Sequence, residues 1–121
     1  MGRTIQLWHQ RSQTVTTPLC SPVFDAADVR DGTVFLRVLA LTGGGTALIS
    51  AEHSLDPNDP NSWSVLVGVL GSAVGNFTDV LGGYIAGSTV PVGPFVRFRA
   101  DIVLGLGDRI VWSASVTLRS D

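Results

Sequence analysis

Alternation of apolar and polar residues over residues 95–118 constrains the fold of this chain more than any other feature. Val96, Phe98, Ala100, Ile102 and Leu104 recur at every second position, with Arg97, Arg99 and Asp101 between them. Gly105-Leu106-Gly107-Asp108 follows as a turn, and the alternation resumes with Ile110, Trp112, Ala114, Val116 and Leu118. Successive side chains of a strand point to opposite faces, so each segment has one buried face and one wet face. Two such segments around a glycine turn predict an antiparallel β-hairpin. A one-residue slip would expose Phe98 and Trp112 and bury Arg97, which fixes the register. A lone hairpin is marginal in water, so its apolar face needs a second layer from the rest of the chain.

The remaining segments are short and β-prone. Residues 33–41 (TVFLRVLAL) are apolar on both sides except Arg37. This pattern predicts a central strand covered on both faces, or one face committed to a partner. Thr42-Gly43-Gly44-Gly45 reads as a turn, and residues 46–55 return as the hairpin partner. On that strand Ala47, Ile49 and Ala51 share one face, and Ser50, Glu52 and Ser54 the other. Residues 62–70, interrupted by Gly68, form the next strand and residues 77–81 a short one. Residues 82–94 are a glycine-rich connection with a short edge strand around Tyr84, Ile85 and Ala86. Pro18 ends the β-prone run before it or places it at an edge. Asp25 can cap one helical turn over residues 25–30.

No stretch sustains a helical period. The expected fold is all-β, a two-sheet antiparallel β-sandwich, immunoglobulin-like or jelly-roll, of about seven or eight strands. The sandwich is assigned to residues 19–121, and residues 1–18 to an N-terminal arm or edge strand. Ile5, Leu7 and Trp8 lie in that first segment with no clear place in the sandwich, which makes them candidate interface residues.

A length of 121 residues suits one domain. Hydrophobic residues make up 45% of the chain and charged residues 15%, a balance that excludes disorder and leaves part of the surface suited to other protein. The net charge of −2 gives non-specific nucleic-acid binding no electrostatic footprint. All 8 basic residues are Arg. A GC-rich genome explains that, and so does a use of guanidinium forks at interfaces. The one cysteine, Cys20, excludes an intrachain disulfide and is expected to be a buried or half-buried thiol. The first residues contain no apolar core of signal-peptide length, and no run approaches a membrane span. Synthesis in a cytoplasm, with no membrane partner, is the expectation.

Convergent chemistry is scarce. His53 and Glu52 are neighbours on a strand and point to opposite faces, so they do not form a pair. No spacing of His and Cys fits zinc, so no metal or cofactor is expected. Residues 43–46 lack the Lys and the helix of a phosphate loop. Asp56-Pro57-Asn58-Asp59-Pro60-Asn61 is oxygen-rich, but it departs from the EF-hand spacing and reads as turn chemistry. Asn76-Phe77-Thr78 fits a glycosylation sequon without a signal peptide. Trp63 and Trp112 are assigned to the core, and Trp8 has no core assignment. No catalytic residue emerges, and the chain is expected not to be an enzyme.

The strand ALISAEHS, the turn DPNDPNSW and the closing PFVRFRADIVLGLGDRIVWSASVTL carry a resemblance. Ser54, Asp56 and Trp63, then Phe95-Val96-Arg97-Phe98, then the run Val111-Trp112-Ser113-Ala114-Ser115-Val116 are similar to small β-sandwich virion proteins of tailed bacteriophages. The turn before Trp63 is longer than in that pattern, and Pro94-Phe95 departs from it. The resemblance implies a capsid decoration protein, made in the host cytoplasm and located in the virion, with the major capsid protein as partner. Low charge and an apolar excess suggest a homo-oligomer, a trimer first or a copy number set by the capsid symmetry, and the resemblance identifies no catalytic residue. A tail or head–tail connector component is the alternative within this class. A carbohydrate-binding β-sandwich is the alternative outside it. Exposed rings in a concave groove would favour the carbohydrate reading, and an apolar patch the structural one.

Overall fold

The computed structural model describes residues 2–85 and 88–120. Among these residues ten strands form: β1 (Gly2–Gln13), β2 (Thr17–Cys20), β3 (Phe24–Asp25), β4 (Val29–Thr42), β5 (Thr46–Ser54), β6 (Ser64–Gly71), β7 (Gly75–Ile85), β8 (Ser88–Val90), β9 (Phe95–Val103) and β10 (Arg109–Ser120). One antiparallel sheet, sheet A, runs β1-β10-β4-β7-β8. The other, sheet B, runs β2-β9-β5-β6, with β3 also pairing β9. This is the expected two-sheet sandwich. The strand count exceeds the expectation because β3 and β8 are only 2 and 3 residues long. Tyr84 and Ile85 end β7, and Ala86 lies outside the described residues.

The alternation predicts the faces correctly. Val96, Phe98, Ala100 and Ile102 of β9 and Ile110, Trp112, Ala114, Val116 and Leu118 of β10 are all buried. Arg97 and Arg99 face away from them and form ion pairs with Glu52 and Asp101. The pairing is different from the expectation. β9 and β10 belong to different sheets and are not a hairpin: β9 pairs β5, and β10 pairs β4 and β1. Likewise β5 does not return along β4 but crosses to sheet B. Sheets in a sandwich lie about 10 Å apart. The connections at residues 43–45 and 104–108, with the strand ends that flank them, are long enough to cross that gap.

The crossing places special demands on glycine. Gly43 has φ +87°, and a Cβ there would overlap the Asp108 carboxylate of the neighbouring corner. Asp108 holds its own corner by accepting from the Gly105 N–H at 2.9 Å.

β4 is central in sheet A, as its apolar run predicts, but it is covered on one face only. Val34, Leu36 and Val38 are buried, whereas Phe35 is 39% exposed on the outer side. Gly32 sits where β4 passes close to β10. A Cβ there would lie 2.4 Å from the Thr117 backbone oxygen, which no rotamer change can relieve. Gly32→Ala is therefore expected to cost about 1–3 kcal/mol, read as a lower midpoint in urea unfolding.

β1 is the edge strand of sheet A and pairs with β10 of its own chain. A register shift between Gln6 and Trp8 breaks strict alternation. Leu7 and Trp8, adjacent in sequence, thereby both pack against the core, as does Ile5. Trp8 lies 5.4 Å from Trp112, ring centre to ring centre. The predicted helical turn at residues 25–30 is a tight turn instead: Asp25 accepts from the Ala27 N–H at 3.0 Å, and β4 starts at Val29.

Candidate functional site

The residues that sequence patterns single out for chemistry are each occupied in local structure. Glu52 accepts from Arg97 Nε at 2.8 Å on the outer side of sheet B. His53 Nδ1 accepts from the Gly93 N–H at 2.9 Å. The two neighbours thus face apart, as expected for a strand. In the 56–61 loop Asp56 caps the Asn58 N–H at 3.0 Å, and Asp59 caps the Asn61 N–H at 2.9 Å. Ser62 donates to the carbonyls of Asp56 and Asp59. The oxygens are spent on turns, as turn chemistry requires. Among the described residues no group of three or more His, Cys, Asp and Glu side chains is placed to hold a metal ion.

Two placements differ from expectation. Trp63 is not a core residue: it is half-buried outside sheet B, with the Arg97 guanidinium 4.3 Å from its ring centre. It precedes β6 rather than lying within it, so strand phase does not direct it inward. Cys20 is exposed rather than buried. It ends an edge strand and sits opposite Arg99 on the outer face, where no third layer covers it. Hydrogen bonding to Asp101, and then its charge, raise the Arg99 pKa above its ordinary value.

The surface gathers an unusual feature at one end. The ends of β1, β4, β6 and β9 lie together there, and each connects to the next strand by a corner between the two sheets. The corners are residues 14–16, 43–45, 72–74 and 104–108. Three are locked together. Thr16 Oγ1 accepts from the Leu104 N–H at 2.8 Å, and Gly45 packs under Leu104. From this end project Val15, Val74, Val103 and Leu106, each at least 58% exposed. Leu106 is fully exposed, raised between Gly105 and Gly107. Sequence reasoning treats residues 43–45 and 105–108 only as turns, and Val15 as part of a β-prone run. The available signal is a large apolar side chain inside a glycine turn, where it has no strand face to bury it.

No protein-family model matches the sequence, and no curated protein sequence matches it. Solved structures match in fold. The K1 adhesin domain of Lys-gingipain from Porphyromonas gingivalis W83 superimposes with a TM-score of 0.55 at 14% identity, over 90% of this chain and 66% of that one. A Bacillus endospore appendage pilus protein gives 0.51 at 11% identity, over 99% of this chain and 90% of that one. A chain of infectious bursal disease virus, Gx strain, gives 0.53 at 12% identity, over 98% of this chain and 32% of that one. The chain is thus a β-sandwich module that resembles adhesin, pilus and viral domains in fold.

Proposed function

We propose that this chain is a structural protein of a bacteriophage virion, a decoration protein that docks on the head lattice and stabilises it. The observation that carries the reading is the apolar end formed by Val15, Val74, Val103 and Leu106. A side chain as large as leucine, held fully in water by a corner built on glycines, gains by burial against another protein. Each such residue contributes about 1.5–3 kcal/mol when fully buried. One copy therefore binds weakly, and copies held side by side on a lattice raise each other's effective concentration. The partner is the major capsid protein, and a homotrimer at a symmetry axis suits this arrangement. The low content of charged residues, 15%, supports the same reading.

Mass spectrometry of purified particles that carry this sequence tests the location. The expected result is the intact chain at a copy number that matches the sites of the head lattice. A handful of copies per particle would place it in the tail or connector instead. Its absence would remove it from the virion.

A further inference from the structure

The outer face of sheet A carries a second feature that lattice docking does not use. A depression of about 330 Å³ lies there, at the small end of the range for small-molecule sites. The ladder pairings build its floor as two rows across four strands. Gln6, Ser115, Phe35 and Thr78 form one row, and Ser113, Arg37 and Asn76 the next. In the second row β1 leaves the ladder. Register shifts flank Trp8, and Gln10 takes φ +45°, with its N–H donated to Ser113 Oγ at 2.8 Å. His9 and Gln10 line the depression from this irregular stretch. The fold thus departs from regular β structure at the place that makes the face concave.

The chemistry of the lining is selective. It includes amides, hydroxyls, one guanidinium and one imidazole, and no Asp or Glu. Arg37 makes no ion pair among the described residues, whereas Arg97, Arg99 and Arg119 each have a carboxylate partner. Its planar fork is free to take a carboxylate in two parallel hydrogen bonds. Phe35, 39% exposed, has Ser115 and Thr78 beside it across the sheet, and both are too short to cover a ring. An aromatic face is electron-rich and attracts the C–H hydrogens of a saturated ring. Amides and hydroxyls around it offer both donors and acceptors, as a polyhydroxylated ligand requires.

We propose that this depression binds an acidic saccharide. A carboxylated pyranose lies with its ring on Phe35 and its carboxylate on Arg37. Gln6, Asn76, Ser113 and Ser115 take its hydroxyls. The site lies on the outer face of sheet A, whereas the exposed Val15, Val74 and Leu106 lie on the corners between the sheets.

The test uses the full chain labelled with nitrogen-15 and two probe pairs in NMR titration. One pair is trigalacturonic acid and its methyl ester. The other is 3′-sialyllactose and lactose. The expected result is that at least one acid shifts the amide signals of residues around Phe35 and Arg37, while its neutral counterpart binds far more weakly. Arg37→Ala and Phe35→Ala should each weaken that acid roughly ten-fold or more, as for loss of a charge-assisted hydrogen bond, with an unchanged melting temperature. The proposal is overturned if neither acid shifts these signals at millimolar concentration. It is equally overturned if the neutral sugars bind as well as the acids, or if folded Arg37→Ala binds like the wild type.

Discussion

Trp112→Ala is expected to destabilise the protein by about 3–5 kcal/mol, the largest effect of any single side chain. Trp112 is 0% exposed, the largest fully buried side chain among the described residues. It is the fourth residue of β10, which pairs with strands on both sides. Its removal opens a cavity the size of an indole that neighbouring strands, held by ladder hydrogen bonds, cannot close. Part of that cost is polar. The Trp112 Nε1–H donates to Gln13 Oε1 at 2.9 Å in a buried setting, and Gln13 is only 7% exposed. Alanine leaves that amide without its partner, and a buried orphan costs about 1–3 kcal/mol. Trp8 also loses the ring on which it rests. A domain is stable by about 5–15 kcal/mol, so this variant should populate unfolded chain at 37 °C. Urea unfolding followed by far-ultraviolet circular dichroism gives the number. A loss under 1 kcal/mol would mean that the two layers do not close on this residue.

Deletion of residues 1–12 is the second large effect. The deletion removes nearly all of β1, which pairs with β10 from Gly2 opposite Arg119 to Gln13 opposite Ile110. It uncovers a row of backbone groups on β10 and takes Ile5, Leu7 and Trp8 away from the core. Each fully buried side chain of this size is worth about 1.5–3 kcal/mol, and partial burial proportionally less. Together with the lost ladder, the deletion approaches the whole net stability of a domain. The truncated chain is expected to unfold or aggregate as an isolated protein. An unchanged melting temperature combined with lost assembly would show instead that the segment serves a neighbouring subunit. An extended segment of 18 residues reaches about 60 Å, far enough for that role.

The two outcomes reflect what the sequence can and cannot convey. Alternation identifies inward residues because it depends only on the geometry of one strand. Hence Phe98, Ile102, Trp112 and Val116 fall in the core as predicted. Alternation is silent about which strand lies alongside. A tight hairpin within one sheet and a corner between two sheets both reverse the chain and both leave two apolar faces. The glycine turns at residues 43–45 and 105–108 therefore read as hairpins, although each crosses the core. The decisive contact, Gly43 against Asp108, joins residues 65 positions apart and has no local signature. The same limit applies to Trp63, whose outward position depends on Arg97 of a distant strand. Residue type alone predicts a buried or half-buried Cys20, but an edge strand leaves its outer side wet. The apolar end depends on four corners brought together by topology, so only its Gly-Leu-Gly element is legible locally.

The lattice-docking account rests on that end, and co-sedimentation tests it most directly. Heads that lack the protein are mixed with purified wild type or with Leu106→Asp. The substitution is at a fully exposed position, so it should change stability by no more than about 0.5 kcal/mol. A carboxylate buried against an apolar partner, by contrast, opposes docking strongly. The account predicts that wild type sediments with the heads while Leu106→Asp, with the same melting temperature, stays in the supernatant. Equal sedimentation of both proteins, or none of the wild type, would contradict it.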